Sequence, residues 1–219
     1  PGCAQAYVEL GECLDHQGRL AEAAAVFRRG LAHAPGHAVL HGMTADTAWR
    51  LGDREAALAA VIRACELDRG YTWALSSRVT WSIELDRHAE ARAFAESLVA
   101  TNPRWAAAHE ILAQVLGATG KHAERVAALR RALDLSPRLG STRLQLLDAL
   151  VELRQLDEAR DVVAKGRALS GDTPPLMLRE REIERASGHV VESRERLRTW
   201  LDANPDYVYG WIRYMTWCE

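Results

Sequence analysis

The sequence has few cysteines and no long apolar run. None of its four cysteines stands in a Cys-x2-Cys pair, so no metal or redox motif of that kind is present. We expect free thiols of a reducing compartment at all four positions, Cys3, Cys13, Cys65 and Cys218, with a Cys3–Cys13 disulfide only if their helices approach closely. Without an apolar run of membrane-spanning length or a signal-peptide pattern, we expect a cytoplasmic protein that does not enter a membrane.

The sequence also lacks an excess of charge of either sign. Its 30 acidic and 28 basic residues give a formal net charge of -2, which favours neither nucleic acid nor an anionic membrane as a partner. It contains no HExxH, P-loop or GxSxG motif, so we expect no catalytic residue, no metal, no cofactor and no enzyme activity within these residues. Lys121 and Lys165 are the only lysines, a bias that suggests a bacterial source.

What the sequence does contain is a period of 34 residues. Five of its seven prolines fall on this period, and an arginine and a glycine take the two remaining places: Pro1, Pro35, Arg69, Pro103, Pro137, Gly171 and Pro205. A period of this length is typical of stacked supersecondary units, none of which can bury its apolar face alone. Such arrays present an extended surface more often than a catalytic pocket.

Each unit of the repeat contains two helices. Apolar residues keep helical spacing on both sides of a turn, which lies at Gly18 in the first unit. Glycine recurs there in later units, except where Asp86 and Arg154 replace it, and it supplies the positive φ that ends a helix. We predict an all-α fold of 12 helices in six antiparallel pairs, a thirteenth helix from about Val208, and no strand.

The first unit carries a recognisable motif. It reads Tyr7-x2-Leu10-Gly11-x2-Leu14, then Ala23-x3-Phe27, then Pro35. This motif resembles the tetratricopeptide repeat (TPR) family, whose pattern is W-x2-L-G-x2-Y, then A-x3-F, then P. The resemblance implies one right-handed α-solenoid over residues 1–219, with six full units and the first helix of a seventh: 4–37, 38–71, 72–105, 106–139, 140–173, 174–207 and 208–219.

The later units keep parts of this motif poorly. The glycine is replaced by Ala45, Val79, Ala113, Leu147 and Arg181, and the phenylalanine by Val61, Ala95, Leu129, Val163 and Leu197. The alanine that lets two helices approach recurs as Ala57, Ala91 and Ala159, with Ser193 in the sixth unit and Arg125 in the fourth. We expect Arg125 and Arg181 to loosen the packing or to turn outward.

Three histidines stand four residues apart, as metal ligands on one helix would: His33, His37 and His41. Pro35-Gly36 breaks the helix between the first two, and His41 takes the packing place that Tyr7 holds in the first unit. We therefore expect structural histidines and no metal.

The resemblance also implies where a partner binds, because the first helices of TPR units line an inner groove. The corresponding residues here are Glu12, Asp15, Asp46, Trp49, Arg50, Trp73, Ser77, Thr80, Glu84, Glu110, Gln114, Asp148, Arg179 and Arg185. This groove is acidic over five units and basic at its C-terminal end, which favours a protein or peptide partner with basic residues. Trp49 and Trp73 are either anchors for that partner or packing between first helices, and the sequence leaves both interpretations open.

Both ends of the sequence look cut. Pro1-Gly2 resembles the end of a preceding unit, and the last helix is apolar on more than one side. We therefore expect an excerpt of a longer chain, with further repeats or another domain in contact at either end. Two functions are compatible with these features: a protein-interaction scaffold, or the sensor or substrate-recruiting arm of a larger bacterial enzyme such as a glycosyltransferase, protease or NTPase.

Overall fold

Thirteen helices and no strand make up the described part of the chain. In the computed structural model this part is residues 2–218, with side chains from Ala4 onward. The helices are α1 (Gly2–His16), α2 (Leu20–His33), α3 (Ala38–Arg50), α4 (Arg54–Leu67), α5 (Thr72–Glu84), α6 (His88–Thr101), α7 (Ala106–Ala118), α8 (His122–Leu135), α9 (Gly140–Glu152), α10 (Leu156–Ser170), α11 (Pro174–Ala186), α12 (Val190–Ala203) and α13 (Val208–Thr216). The predicted all-α class and number of helices are confirmed, and α13 begins at the predicted residue.

Contacts between the helices group into two compact units, residues 1–97 and 98–219. In the first unit, helices α1 to α5 pack in chain order, each on the next, and α1 also contacts α3. In the second unit, helices α7 to α13 do the same, and α9 also contacts α11. Each of these helices therefore packs on close neighbours in sequence, as stacked helix pairs do. A single continuous solenoid over residues 1–219 stays a prediction.

The turn inside each helix pair holds one residue in the left-handed region of φ. Four of these residues are glycines, with φ between 69° and 98°: Gly18, Gly52, Gly120 and Gly188. The other two are Asp86, at φ 57°, and Arg154, at φ 60°. The turn positions predicted from the repeat register are thus confirmed. At Asp86 and Arg154 the turn holds a conformation that costs an L-residue about 1–2 kcal/mol.

The carbonyl oxygen of the repeat proline is bound by a side chain of the following helix. Six residues after the proline, a donor reaches back to it in four places: His41 Nε2 to Pro35 (2.9 Å), His109 Nε2 to Pro103 (3.0 Å), Arg143 to Pro137, and Trp211 Nε1 to Pro205 (3.2 Å). Where the proline is replaced, at Arg69 and Gly171, the place six residues on is apolar, Leu75 or Met177. The bond pairs an acceptor left open near a helix end and connects one helix pair to the next.

The three histidines at a spacing of four have separate structural roles. His41 binds the carbonyl of Pro35, so its Nε2 carries a proton. His37 precedes α3 and its Nδ1 accepts a hydrogen bond from the backbone N–H of Leu40 at 3.3 Å. The ring of His33 stacks on Tyr7, with 5.7 Å between centroids. Within the described residues, no group of three histidine, cysteine, aspartate or glutamate side chains could hold a metal ion.

The glycine and phenylalanine places of the motif compensate each other in volume. A Cβ atom on Gly11 would lie 2.1 Å from Phe27 Cε1, so the ring of Phe27 fills the space that the glycine leaves. In later units a larger residue at the glycine place accompanies one smaller than phenylalanine: Ala45 with Val61, Val79 with Ala95, Ala113 with Leu129, and Leu147 with Val163, all of them buried. This exchange explains why the motif is poorly kept although the interior stays filled.

Arg125 and Arg181 do not turn outward, so that part of the expectation is wrong. The Arg125 side chain is 19% exposed, and its Nη1 lies 3.6 Å from Glu152 Oε2. Its stem passes Gly117, where a Cβ would lie 3.2 Å from Arg125 Cδ. The Arg181 side chain is 13% exposed and its Nη1 donates to Glu184 Oε1 at 2.8 Å. A carboxylate beside each guanidinium offsets the cost of covering its charge.

The cysteines that the structure describes are free thiols. Cys13 and Cys218 are exposed and Cys65 is buried. Burial raises the pKa of Cys65 to about 11, so its thiol is protonated and unreactive at neutral pH. The side chain of Cys3, and Pro1 at the start of the repeat period, lie outside the described residues. No helix within residues 2–218 combines the length and the apolar character needed to cross a membrane.

We expect Gly11→Ala to lower the free energy of unfolding by about 2 kcal/mol, because the added methyl group overlaps the Phe27 ring. Adding Phe27→Val gives the first helix pair the alanine–valine combination of Ala45 and Val61, so the double variant should lose less stability than the two single losses summed. Urea unfolding of the four proteins measures this coupling. Strictly additive losses would contradict the volume exchange.

Candidate partner-binding surfaces

The predicted groove residues all lie on the first helices of their pairs, and all are at least partly exposed. Nine belong to the first compact unit: Glu12 and Asp15 on α1, Asp46, Trp49 and Arg50 on α3, and Trp73, Ser77, Thr80 and Glu84 on α5. Five belong to the second: Glu110 and Gln114 on α7, Asp148 on α9, and Arg179 and Arg185 on α11. Binding of a partner at these residues stays a prediction, so each unit is considered by its own geometry.

In the first compact unit, Arg50 connects the acidic residues of two neighbouring first helices. Its guanidinium is ion-paired with Asp15 on α1 and lies 3.7 Å from a carboxylate oxygen of Asp46 on α3. Burial is the main cause that raises the pKa of Asp46; Arg50 opposes the shift, and the Asp15 carboxylate adds to it. One arginine thus stands between two carboxylates, which leaves this part of the surface acidic.

The structure separates the two tryptophans that the sequence analysis treats alike. Trp49 stacks on Trp81, with 4.6 Å between ring centroids and 7° between planes. The Arg54 guanidinium lies 4.0 Å from the centroid of the same Trp49 ring, and it can only occupy the opposite face. Both faces of Trp49 are therefore covered. Trp73 is 37% exposed and meets Trp81 edge to face at 6.0 Å.

Tyr71 completes the aromatic group beside Trp73, with 5.7 Å between their ring centroids. A Cβ atom on Gly42 would lie 2.7 Å from the Tyr71 hydroxyl, so this ring packs over α3. Burial raises the pKa of Tyr71, and the carboxylates of Asp46 and Glu12 raise it further. We call the set Glu12, Asp15, Asp46, Tyr71 and Trp73 the acidic–aromatic face.

The second unit has a cavity of about 660 Å³, a volume within the usual range of ligand sites. Most of its lining comes from α9, α11 and α13: Asp148, Val151, Glu152, Arg179, Glu182, Arg185, Ala186, Tyr209 and Arg213, with Trp217 directly after α13, Arg125 from α8 and Val190 from α12. Three predicted groove residues are among them, Asp148, Arg179 and Arg185. We call this space the C-terminal cavity.

Four charged residues of the C-terminal cavity form a ladder of alternating sign across three first helices. Arg179 on α11 donates to Asp148 Oδ2 on α9 at 3.1 Å and lies 3.1 Å from Glu182 Oε2. Arg213 on α13 donates to Glu182 Oε1 at 2.6 Å. Burial acts to lower the pKa of Arg179, but the carboxylates of Glu182 and Asp148 raise it overall. The ladder balances two positive charges with two negative ones.

Arg185 stands apart from this ladder. It is exposed, and its guanidinium carbon lies 5.2 Å from the centroid of the Trp217 ring, a cation–π contact. Trp217 is 7% exposed, and its Nε1 has no hydrogen-bond partner in the described part of the chain. Arg179 and Arg185 were predicted to make the C-terminal end of the groove basic. Arg179 is paired with carboxylates of the ladder, so the positive charge there comes from Arg185.

Glu110, in the same unit, bonds to a neighbouring first helix. Its carboxylate accepts a hydrogen bond from the hydroxyl of the buried Thr142 on α9. Gln114 lies one turn further along α7 and is half-buried. Glu110 therefore connects α7 to α9 as well as forming part of the surface.

Sequence reasoning missed several residues of both surfaces. Tyr71 lies one residue before α5, outside the groove places that the family pattern assigns. Arg125 was noted only as a departure from a small residue, and neither Tyr209 nor Trp217 was assigned to the groove. The departure at Arg125 was a usable signal, because an arginine where a pair needs a small residue must find a carboxylate or solvent.

Comparisons with known proteins identify the repeat and the fold. Two models of the tetratricopeptide repeat family match residues 1–38 and 106–139. No curated protein matches the chain. Among solved structures, pilF of Pseudomonas aeruginosa superimposes with a TM-score of 0.68 at 18% identity, over 98% of this chain and 97% of that one.

Two further structures have the same architecture. A tetratricopeptide repeat protein of Parabacteroides merdae gives a TM-score of 0.66 at 16% identity, over 99% of this chain and 84% of that one. YrrB, reported as a TPR protein with an unusual peptide-binding site, gives 0.57 at 19% identity, over 87% and 98%. At these identities the likeness shows the fold alone, and the predicted α-solenoid class is confirmed.

The ladder of the C-terminal cavity predicts a large effect of one uncharged substitution. Glu182→Gln leaves Arg179 and Arg213 without the carboxylate between them, and the Glu182 side chain is only 13% exposed. We expect the free energy of unfolding to fall by about 2 kcal/mol. Asp157→Asn, which breaks an ion pair at a 99% exposed carboxylate, should change it by less than about 0.5 kcal/mol. Equal effects in thermal melts would contradict the ladder's role.

Proposed function

We propose that this chain, in which residues 1–38 and 106–139 match tetratricopeptide repeat models, is a non-enzymatic scaffold that binds a basic segment of a partner protein on its acidic–aromatic face. The matched repeats support a role in protein interaction in general. The finer proposal depends on one observation: the exposed ring of Trp73 lies beside Tyr71, and the carboxylates of Asp46 and Glu12 raise the pKa of Tyr71. An exposed aromatic ring of this kind is typical of an interface anchor.

The charges around this ring favour a cationic ligand. Glu12, Asp15 and Asp46 carry three carboxylates, and Arg50 supplies one positive charge between the last two. The excess of negative charge attracts lysine or arginine side chains and speeds their approach. The raised pKa of Tyr71 reflects the same field, since burial and then nearby carboxylates disfavour its ionisation.

The aromatic rings offer a second source of attraction for the same ligand. A guanidinium over an indole gains cation–π energy, about 0.5–2 kcal/mol depending on how far both are removed from water. The neighbouring ring of Trp49 already holds the chain's own Arg54 in this way, at 4.0 Å. Trp73 would offer the corresponding surface to an arginine of the partner. The peptide-binding site reported for YrrB supports a peptide segment as the class of ligand on this fold.

A second candidate function is the recruiting arm of a larger enzyme, and one observation favours it. Val208, Ile212 and Met215 on α13 are 65%, 48% and 58% exposed, although the place of Met215 is buried in five of the six full units, by Gly11, Ala45, Val79, Ala113 and Leu147. Exposed apolar groups of this kind are typical of a surface that another domain covers. The length of the natural reading frame would distinguish the two functions.

The test of the proposed function begins with selection of short random peptides on the immobilised 219-residue protein, followed by fluorescence anisotropy with the enriched peptides. We expect the enriched peptides to be rich in arginine and lysine. Trp73→Ala should weaken their binding by about 2 kcal/mol, because an aromatic anchor is lost. Trp73→Phe keeps an aromatic ring and should retain most of the affinity.

Charge reversal supplies a matched pair of controls for the same peptides. Glu84→Lys, at an exposed groove position on α5, should slow association and reduce its dependence on salt. Glu66→Lys, at an exposed position on the second helix α4, should leave the association rate unchanged. If Glu66→Lys weakens binding while Trp73→Ala and Glu84→Lys do not, the partner binds the second-helix side and the proposal is wrong.

A further inference from the structure

The C-terminal cavity has an excess of positive charge, in contrast to the acidic–aromatic face. Its lining contains the four arginines Arg125, Arg179, Arg185 and Arg213 against three carboxylates, those of Asp148, Glu152 and Glu182. The ladder of Asp148, Arg179, Glu182 and Arg213 uses two charges of each sign. Arg125, Glu152 and Arg185 remain, and their pairing decides which charged group of the cavity is left for a ligand.

Glu152 is already occupied by groups of the chain. Its Oε2 lies 3.6 Å from Arg125 Nη1 and 3.1 Å from His122 Nδ1. The carboxylate therefore balances Arg125 and lies beside the ring of His122. This pairing removes the last negative charge of the lining, and Arg185 is the cation that remains.

The position of Arg185 suits the binding of a carboxylate. Its guanidinium carbon lies 5.2 Å from the Trp217 ring centroid. A guanidinium that rests on an aromatic ring uses its flat face, while its N–H donors lie in the guanidinium plane and can bind both oxygens of one carboxylate. The aromatic contact also restricts the side chain before a ligand arrives, which lowers the entropy cost of binding.

From this geometry we propose that the C-terminal cavity binds the side-chain carboxylate of a glutamate in a partner segment, with Arg185 as its cation. A single excess positive charge matches one carboxylate, whereas a phosphate brings a larger negative charge. Val151, Ala186 and Val190 line the same cavity and provide apolar surface for the methylene groups of a glutamate. This site is independent of the proposed function, because its residues lie in the other compact unit and its ligand has the opposite charge.

The proposal is tested with the whole 219-residue protein and pools of peptides that carry random flanks around one fixed central residue. The central residue is glutamate, glutamine or phosphoserine, and these three pools are amidated at the C-terminus so that side chains alone supply the anion. We expect the immobilised protein to retain the glutamate pool about tenfold better than the glutamine pool. A fourth pool with central glutamine and a free C-terminus tests a chain-terminal carboxylate.

Two arginine variants give the matched comparison. Arg185→Gln should abolish the preference for glutamate over glutamine, while Arg131→Gln, at an exposed position on the second helix α8, should leave it intact. We expect Arg131→Gln to melt at the wild-type temperature, and Arg185→Gln to melt only slightly lower, because it loses one cation–π contact at an exposed side chain. The proposal is overturned by equal retention of the glutamate and glutamine pools, by a preference that survives Arg185→Gln, or by stronger retention of the phosphoserine or free-terminus pool. The effect of Trp73→Ala on basic peptides tests only the acidic–aromatic face, so a failure of that proposal is distinguishable from a failure of this one.

Discussion

The close approach of the two helices within each pair is the constraint on which the other features of this protein depend. Gly11 leaves a space that the Phe27 ring fills. In later pairs a larger residue at the glycine place packs with a smaller one at the phenylalanine place, as Val79 does with Ala95, and both are buried. Because this contact fixes the rotation of the first helix, it also fixes which residues of that helix stay exposed. The surfaces proposed for binding are therefore a consequence of the core.

The exposed residues of the first helices form two surfaces of different chemistry. In the first compact unit, Arg50 offsets only part of the negative charge of Asp15 and Asp46, and the exposed ring of Trp73 lies beside Tyr71. In the second unit, the ion-pair ladder uses most of the charge of the lining and leaves Arg185 on the ring of Trp217. Charge balance between neighbouring first helices, rather than the number of charged residues, determines what each surface can attract.

The features that depend on the repeat register were predictable from the sequence, whereas the directions of long side chains were not. The turns at Asp86 and Arg154 and the start of α13 at Val208 belong to the first kind, because they depend only on the period. The covered position of Arg125 belongs to the second kind, because its carboxylate partner Glu152 lies in the next 34-residue repeat. The sequence also could not show that Trp49 is covered while Trp73 is exposed, because one face of Trp49 is covered by Arg54, which is not among the predicted groove residues.

The central claim is that partner segments contact the first helices of the pairs. Hydrogen–deuterium exchange of the whole chain, with and without a saturating basic peptide from the selection, tests it most directly. The account predicts that the peptide slows exchange in α1, α3 and α5, and leaves exchange in α2 and α4 unchanged. Protection confined to α2 and α4 would contradict it, because the partner would then bind the side of the stack formed by the second helices.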